Sequence, residues 1–192
     1  LHAGGASSYE ASIIRYLQSI PSAKIDFVVF QPSGSDSHEN FGDVCEYKNG
    51  LLSEVTSFIR STYVGQITAK IFKAFLGRLE KSFAIHNIDI AYFLSPNPLS
   101  LGLINTPMIN TVWDLGHRDL PEYKEIASTT RYAKREFYYS KVLPKSLLVV
   151  TDSKKTKSRI EEIYNVPIHQ IVDAGLFPDI ENSESSSEEH SI

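Results

Sequence analysis

The chain has 192 residues and a formal net charge of −4, from 19 basic and 23 acidic residues. Hydrophobic residues make up 42% of the chain and charged residues 22%, a composition that excludes a fully disordered protein. No apolar run reaches the roughly 18 residues that a membrane-spanning helix needs. The single cysteine, Cys45, excludes an internal disulfide framework and fits a reducing compartment, so we expect a cytoplasmic protein.

Five short apolar runs predict the strands of a sheet. Each run is apolar along most of its length, which is typical of parallel strands that are buried on both faces. Each run ends close to Pro, Gly, Ser or Asp residues, which favour turns. In chain order the predicted strands are Ile25–Phe30, Ile88–Leu94, Met108–Trp113, Leu147–Thr151 and Ile168–Val172.

Helical spacing of apolar residues predicts four helices between or beside these strands. Ser7 and Glu10 have the spacing of a capping box at the start of the first helix, and Asp152 or Ser153 can cap the last one. The alternation predicts an α/β fold: a Rossmann-like, doubly wound, mostly parallel sheet flanked by helices, over residues 1–178. The predicted helices are Ser7–Ser19, Gln66–Ile85, Ser128–Val142 and Ser153–Tyr164.

Both ends of the chain depart from a complete doubly wound domain. The chain opens in a Gly-Gly turn where a first central strand would be expected, so we expect that strand to be truncated. Residues 179–192 are rich in Ser and Glu and predict an acidic tail or linker. This tail holds five acidic and no basic residues, so residues 1–178 carry a net charge of +1, which gives no indication of a nucleic-acid partner.

The first candidate site is the glycine pair Gly4 and Gly5, which precedes a helix. Glycines let a ligand approach the backbone closely, and a helix N-terminus offers free N–H groups and a positive dipole end. This turn could therefore bind a diphosphate. A tight turn capped by Ser7 explains the same residues equally well, and the pattern matches neither the dinucleotide-binding motif nor the P-loop.

The second candidate site consists of Trp113, Asp114 and His117, which follow the third predicted strand. Ligands bind beyond the carboxyl ends of the strands in open α/β sheets. Trp113 can offer a ring face to a sugar, Asp114 can accept hydrogen bonds from hydroxyls, and His117 can transfer a proton near neutral pH. The alternative is a half-buried Trp, a loop-capping Asp and a surface His.

Two further features are weaker. Asn97 and Ser100 lie in a proline-containing loop after the second predicted strand and could line a cleft, although a rigid connector explains them as well. Residues 131–159 carry a net charge of +7 with interleaved aromatic residues and could contact anionic lipid headgroups, or form a solvated helix face over an aromatic core stripe. No cluster of His or Cys ligands occurs, so we predict no metal site.

Taken in order, these pieces resemble the N-terminal half of a family 4 (group 1) glycosyltransferase with the GT-B fold. The resemblance runs from Gly4-Gly5 through Asp114-Leu115-Gly116-His117 and the segment 149–153 to Gly175. It implies retaining transfer of a sugar from a nucleotide sugar to a glycan, lipid or small-molecule acceptor, without a metal or other cofactor. It also implies a site in the cleft between two Rossmann-like domains.

The resemblance assigns this chain the acceptor side of such a cleft. It implies Asp114 and His117 as catalytic residues, with Gly4 and Gly5 facing the donor phosphates and acceptor. Many relatives have His where this chain has Trp113; from their own chemistry and position after strands, Trp113, Asn97 and Ser100 are predicted as substrate contacts. The nucleotide-binding half is expected beyond residue 192, so we expect this chain to be inactive alone. The alternatives are a non-catalytic Rossmann-like interaction module and a GT-B nucleotide-sugar epimerase.

Overall fold

The computed structural model describes residues 5–21, 25–32, 44–47, 80–120, 122–123 and 129–175. They belong to two compact units, of which the first comprises Leu1–Glu46 with Leu176–Ile192 and the second comprises Tyr47–Gly175. The single domain that we predict over residues 1–178 stays a prediction. The predicted tail, residues 179–192, lies outside the described residues.

The described residues of the first unit form one helix and, together with Tyr47, a small sheet. Helix α1 spans Gly5–Ser19, and strands β1 (Val29–Pro32) and β2 (Val44–Tyr47) form a two-stranded sheet. Because α1 already begins at Gly5, Ser7 lies inside the helix, and the predicted capping box is wrong: a capping serine must precede the first helical residue. Cys45 lies in β2.

The second unit contains a four-stranded sheet in which all neighbouring strands are parallel. Its strands are β3 (Ala91–Phe93), β4 (Met108–Val112), β5 (Leu148–Thr151) and β6 (Ile171–Asp173), in that spatial order. The register pairs Ile109 with Tyr92 on one side and with Leu148 on the other. The predicted α/β class with a parallel sheet is confirmed, and the arrangement is consistent with a Rossmann-like fold.

Helices connect and flank these strands. Residues 80–85 are helical, and the rest of the helix predicted over Gln66–Ile85 lies outside the described residues. Short 3-10 turns precede or follow several strands, and none of the described helices is long and apolar enough to cross a membrane. The helices after β4 are α2 (Gly116–Asp119), α3 (Thr129–Val142) and α4 (Lys154–Tyr164).

Local chemistry explains where α4 begins and ends. The Ser153 hydroxyl oxygen accepts a hydrogen bond from the backbone N–H of Thr156 at 3.3 Å, so Ser153 and not Asp152 caps the helix. Asn165 ends it in the left-handed region at φ 54°, which Asn tolerates better than most residues. The predicted strand over Ile168–Val172 begins only at Ile171, because Ile168–Gln170 form a 3-10 turn after Pro167.

The core of the second unit lies where α3 and α4 pack near the sheet. Val112, Val149 and Ile171 come from three neighbouring strands and are at most 1% exposed. Val142 of α3 and Ile160 of α4 are 0% exposed. Each such side chain contributes roughly 1.5–3 kcal/mol through burial. Because the strands are parallel, their carboxyl ends lie at one edge of the sheet. At this edge, residues 94–103 follow β3 and residues 113–120 follow β4.

Candidate functional site

Asp114 lies just beyond the carboxyl end of β4 and faces solvent. Its Oδ1 accepts a hydrogen bond from the backbone N–H of Gly116 at 2.6 Å, which forms an Asx turn leading into α2. The Asp114 side chain is still 61% exposed, and Nη1 of Arg135 lies 3.4 Å from Oδ1. An exposed carboxylate beside a guanidinium is therefore available to a polar ligand at this edge of the sheet.

His117, three residues further on, is buried. It is 1% exposed, and its ring contacts those of Tyr132 and Tyr139 at centroid distances of 5.5 and 5.6 Å. Its Nε2 lies 2.6 Å from Oε1 of Glu136. Burial lowers the pKa of His117, although the Glu136 carboxylate opposes this shift, and the net effect favours the neutral imidazole. The alternative of a surface His is wrong for this residue.

The hydrogen bond to Glu136 fixes which ring nitrogen of His117 carries the hydrogen. An ionised carboxylate can only accept, so Nε2 donates and Nδ1 is the bare nitrogen. Nδ1 is buried and has no hydrogen-bond partner among the described residues. In this conformation a substrate does not reach the ring, and the catalytic role expected of His117 stays a prediction.

Glu136 of α3 is the centre of the polar cluster behind Asp114. Its Oε1 accepts hydrogen bonds from His117 Nε2, from Arg118 Nε at 2.6 Å and from the Tyr164 hydroxyl at 2.9 Å, and its Oε2 accepts one from Arg118 Nη2. Burial favours the neutral acid, but these donors outweigh it and lower the pKa of Glu136 to about 2. We call His117, Arg118, Glu136 and Tyr164 the Glu136 cluster.

The Glu136 cluster joins three helices at the carboxyl edge of the sheet. His117 and Arg118 belong to α2, Glu136 to α3 and Tyr164 to α4. The Arg118 guanidinium also lies over the Tyr164 ring, 5.7 Å from its centroid, and its hydrogen bonds to Glu136 raise its pKa further. A second ion pair, between α2 and α4, joins Asp119 to Arg159 at 2.7 Å.

Asn97 and Ser100 use their polar groups inside the fold. Asn97 Oδ1 accepts from the backbone N–H of Leu99 at 3.0 Å, and the fully buried Ser100 hydroxyl donates to the Asn97 carbonyl at 2.8 Å. The Tyr138 hydroxyl oxygen accepts from the Asn97 N–H at 3.1 Å and lies 3.0 Å from Ser100 Oγ. This geometry favours a rigid connector, and a substrate could reach Ser100 only if the loop moved.

Lys145 stabilises the same connector from the 3-10 turn Leu143–Lys145. Its Nζ donates hydrogen bonds to the carbonyl oxygens of Ser100, Leu101 and Leu103, each at 3.1 Å. Burial lowers the pKa of this ammonium group. The loop after β3 is thus stabilised by partners on both of its sides, and its polar atoms are mostly occupied.

The remaining predicted residues are only partly described. Trp113 is half-buried directly before Asp114. Gly4 lies outside the described residues, whereas Gly5 is the first residue of α1 in the first unit. That the glycine pair and Asp114 line one cleft stays a prediction.

The basic stretch over residues 131–159 divides between solvent and core. Lys134 and Lys141 of α3 are exposed, whereas Tyr138 and Tyr139 are at most 9% exposed. This part of the stretch has the predicted pattern of a solvated helix face over an aromatic core stripe. Phe137 departs from the pattern, since it is 40% exposed between the two lysines.

Sequence reasoning missed Glu136, Arg118 and Tyr164. Glu136 lies 19 residues from His117 and 28 residues from Tyr164, so no local spacing indicates their contact. The one available signal was charge, because Glu136 is the only acidic residue in α3, among four basic ones. An isolated acidic residue in a basic helix indicates a specific cationic partner.

Within the part of the chain that the structure describes, no group of three His, Cys, Asp or Glu side chains could bind a metal ion. A comparison with protein-family models finds no match to this chain. A comparison with curated proteins finds no significant match either. The resemblance to family 4 glycosyltransferases therefore stays a prediction, and the structure establishes the α/β class with a four-stranded parallel sheet.

Proposed function

We propose that this chain is the acceptor-binding part of a retaining glycosyltransferase, which transfers a sugar from a nucleotide sugar to a carbohydrate or lipid-linked acceptor. The observation that carries the proposal is the exposed carboxylate of Asp114 at the carboxyl edge of a parallel sheet, just before a helix whose His117 and Arg118 hydrogen-bond to Glu136. Ligands of open α/β sheets bind at this edge. A cytoplasmic location belongs to the same proposal.

Asp114 would act by orienting the acceptor. A carboxylate oxygen accepts a hydrogen bond from an acceptor hydroxyl and so directs that hydroxyl toward the anomeric carbon of the donor. Correct orientation of two reactants accounts for a large part of many enzymatic rate accelerations. The donor would be bound mainly by residues outside this chain. His117 would act through the Glu136 cluster on the segment that carries Asp114, because its ring is buried and not exposed to a ligand.

An NMR titration of the 192-residue chain tests the location of the site. The probes are methyl glycosides of glucose, galactose, mannose and N-acetylglucosamine at millimolar concentrations. We expect at least one probe to shift the amide signals of residues 113–119 and the Trp113 indole signal. Shifts confined to the amino edge of the sheet, around Asp89, or no shifts with any probe, would refute the proposed acceptor site.

A transfer assay tests the reaction itself. A polypeptide that extends through the predicted nucleotide-binding half is incubated with a panel of nucleotide sugars and the glycosides that bind. We expect sugar transfer with retained anomeric configuration by the longer polypeptide, and none by the 192-residue chain. Transfer by the 192-residue chain alone would contradict the assignment of this chain as an acceptor-binding part only.

A non-catalytic interaction module is the second candidate function. The burial of His117 and Ser100 favours it, because two of the predicted site residues serve internal hydrogen bonds. Asp114→Asn in the longer polypeptide separates the two proposals. A large loss of turnover supports the transferase, whereas unchanged turnover supports the module.

A further inference from the structure

The segment that carries Asp114 has little intrinsic stability. Helix α2 comprises only the four residues Gly116–Asp119, and its N-cap residue, Leu115, makes no side-chain capping hydrogen bond. A helix this short does not form on its own in water, because nucleation costs more than one turn of hydrogen bonds returns. Its conformation therefore depends on contacts with the rest of the second unit.

Two consecutive residues of α3 supply polar contacts to this segment. Arg135 lies 3.4 Å from the Asp114 carboxylate, while Glu136 accepts hydrogen bonds from His117 and Arg118. The contact of Arg135 is long and exposed, and exposed ion pairs contribute little. The contacts of Glu136 are short, partly buried and charge-assisted, and such hydrogen bonds are the stronger class.

We propose that Glu136 is a positioning residue for the acceptor site: through His117 and Arg118 it fixes the segment 114–119 and thereby the direction of the Asp114 carboxylate. It does not itself contact the acceptor. The role toward an acceptor rests on the proposed function. The control of the segment by Glu136 is a separate statement, and it holds or fails whatever the ligand is.

Glu136→Gln is the main variant, since it keeps the side-chain shape and removes the charge. Tyr164→Phe is the second, because it removes one donor to Glu136 and keeps the packing of the ring. Glu162→Gln is the matched control, an exposed carboxylate on α4. Circular dichroism and thermal melting establish that each variant is folded before any comparison.

Three measurements on the 192-residue chain follow. Ring ¹⁵N signals of His117 report its tautomer, amide hydrogen exchange reports the order of residues 114–120, and a titration with the methyl glycoside that binds best reports affinity. In Glu136→Gln we expect altered ring signals, exchange about tenfold faster and affinity about tenfold weaker, since loss of a charged hydrogen bond has roughly this effect. Tyr164→Phe should change all three in the same direction by less.

The outcomes separate this inference from the proposed function. Unchanged His117 signals and unchanged exchange in both variants would overturn the positioning role. Changed exchange with unchanged glycoside affinity would overturn it as well, because the order of the segment would then not govern binding. If the wild-type chain binds no glycoside, the proposed function fails, and the ring signals and exchange still decide whether Glu136 controls the segment.

Discussion

Two loops follow neighbouring strands at the carboxyl edge of the same sheet, and they use their polar residues in opposite ways. In the loop after β3, Asn97 and Ser100 face inward and bind Tyr138 or the loop itself. In the loop after β4, Asp114 faces solvent and the polar contacts to the core pass through Glu136. Helix α3 supplies the partner in both cases. A polar residue after a strand therefore stays available to a ligand where its contact with α3 is long and exposed, as the 3.4 Å contact between Asp114 and Arg135 is.

The largest expected effect on stability comes from Glu136→Ala, which leaves the donor groups of three residues, His117, Arg118 and Tyr164, without their acceptor. We expect a loss of about 3 kcal/mol in the free energy of unfolding, the size that follows removal of one member of a buried ion pair. Urea denaturation measures it. Glu162→Ala, on the exposed side of α4, should stay within about 0.5 kcal/mol. Equal losses in the two variants would contradict the central role of the cluster.

The pH dependence of stability tests the same cluster without changing its packing. The pKa of Glu136 is about 2 in the folded state against a usual value of 4.5, so its stabilisation is complete above pH 4.5 and is lost as the pH falls toward 2. This difference corresponds to at most roughly 3 kcal/mol. The lowered pKa of His117 acts in the same direction, because its protonation below pH 6.5 opposes folding.

Glu136→Gln separates these two contributions to the acid sensitivity. The variant should be less stable than wild type at pH 7, and its stability should fall less steeply between pH 5 and pH 2 when followed by denaturation at a series of pH values. A wild-type protein with constant stability over that interval would show that Glu136 is not held ionised by its donors.

Tyr138→Phe tests the inward-facing loop. The variant removes the hydroxyl that accepts from the Asn97 N–H and contacts Ser100, so a part-buried amide loses its acceptor. We expect a loss of about 2 kcal/mol in the free energy of unfolding. Tyr123 is 52% exposed, so Tyr123→Phe is the control and should be near neutral. If Tyr138→Phe is also neutral, the loop does not depend on this network.

Lys145→Met is expected to have a smaller effect on the same loop. The variant keeps an aliphatic side chain and removes the ammonium group that three carbonyl oxygens share. Because water can replace part of these bonds, we expect a loss of about 1 kcal/mol, measured by thermal denaturation. Lys141→Met, which changes an exposed lysine of α3, should leave stability unchanged. A loss as large in Lys141→Met would point to a general charge effect.

The sequence predicted the two central strands of the parallel sheet better than the outer strand β6 and the short helix α2. Apolar runs ended by Pro, Asp or Ser identified β4 and β5 to within one residue, because burial on both faces leaves a continuous apolar signal. The apolar run over Ile168–Val172 predicted a strand that begins three residues too early, since Ile168 is 41% exposed in a 3-10 turn. Helix α2 was not predicted, because its four residues are too few to show a helical periodicity of apolar side chains.

The sequence predicted the position of the candidate site but not which of its residues are buried. The position of Asp114 after β4 follows from the chain, since the carboxyl end of a parallel strand is where loops can face a ligand. The burial of His117 and Ser100 does not follow, because it depends on Glu136 and Tyr138, residues 19 and 38 positions away along the chain. The charges and residue spacings within the two loops do not indicate these contacts.

Asp114→Asn tests the proposed acceptor site most directly. Asn can still accept the hydrogen bond of the Gly116 N–H, and the side chain is 61% exposed, so the free energy of unfolding should change by no more than about 0.5 kcal/mol. The affinity for the methyl glycoside that binds wild type should fall about tenfold or more, while Asp89→Asn at the opposite edge leaves it unchanged. Equal glycoside affinities for wild type, Asp114→Asn and Asp89→Asn would contradict the account.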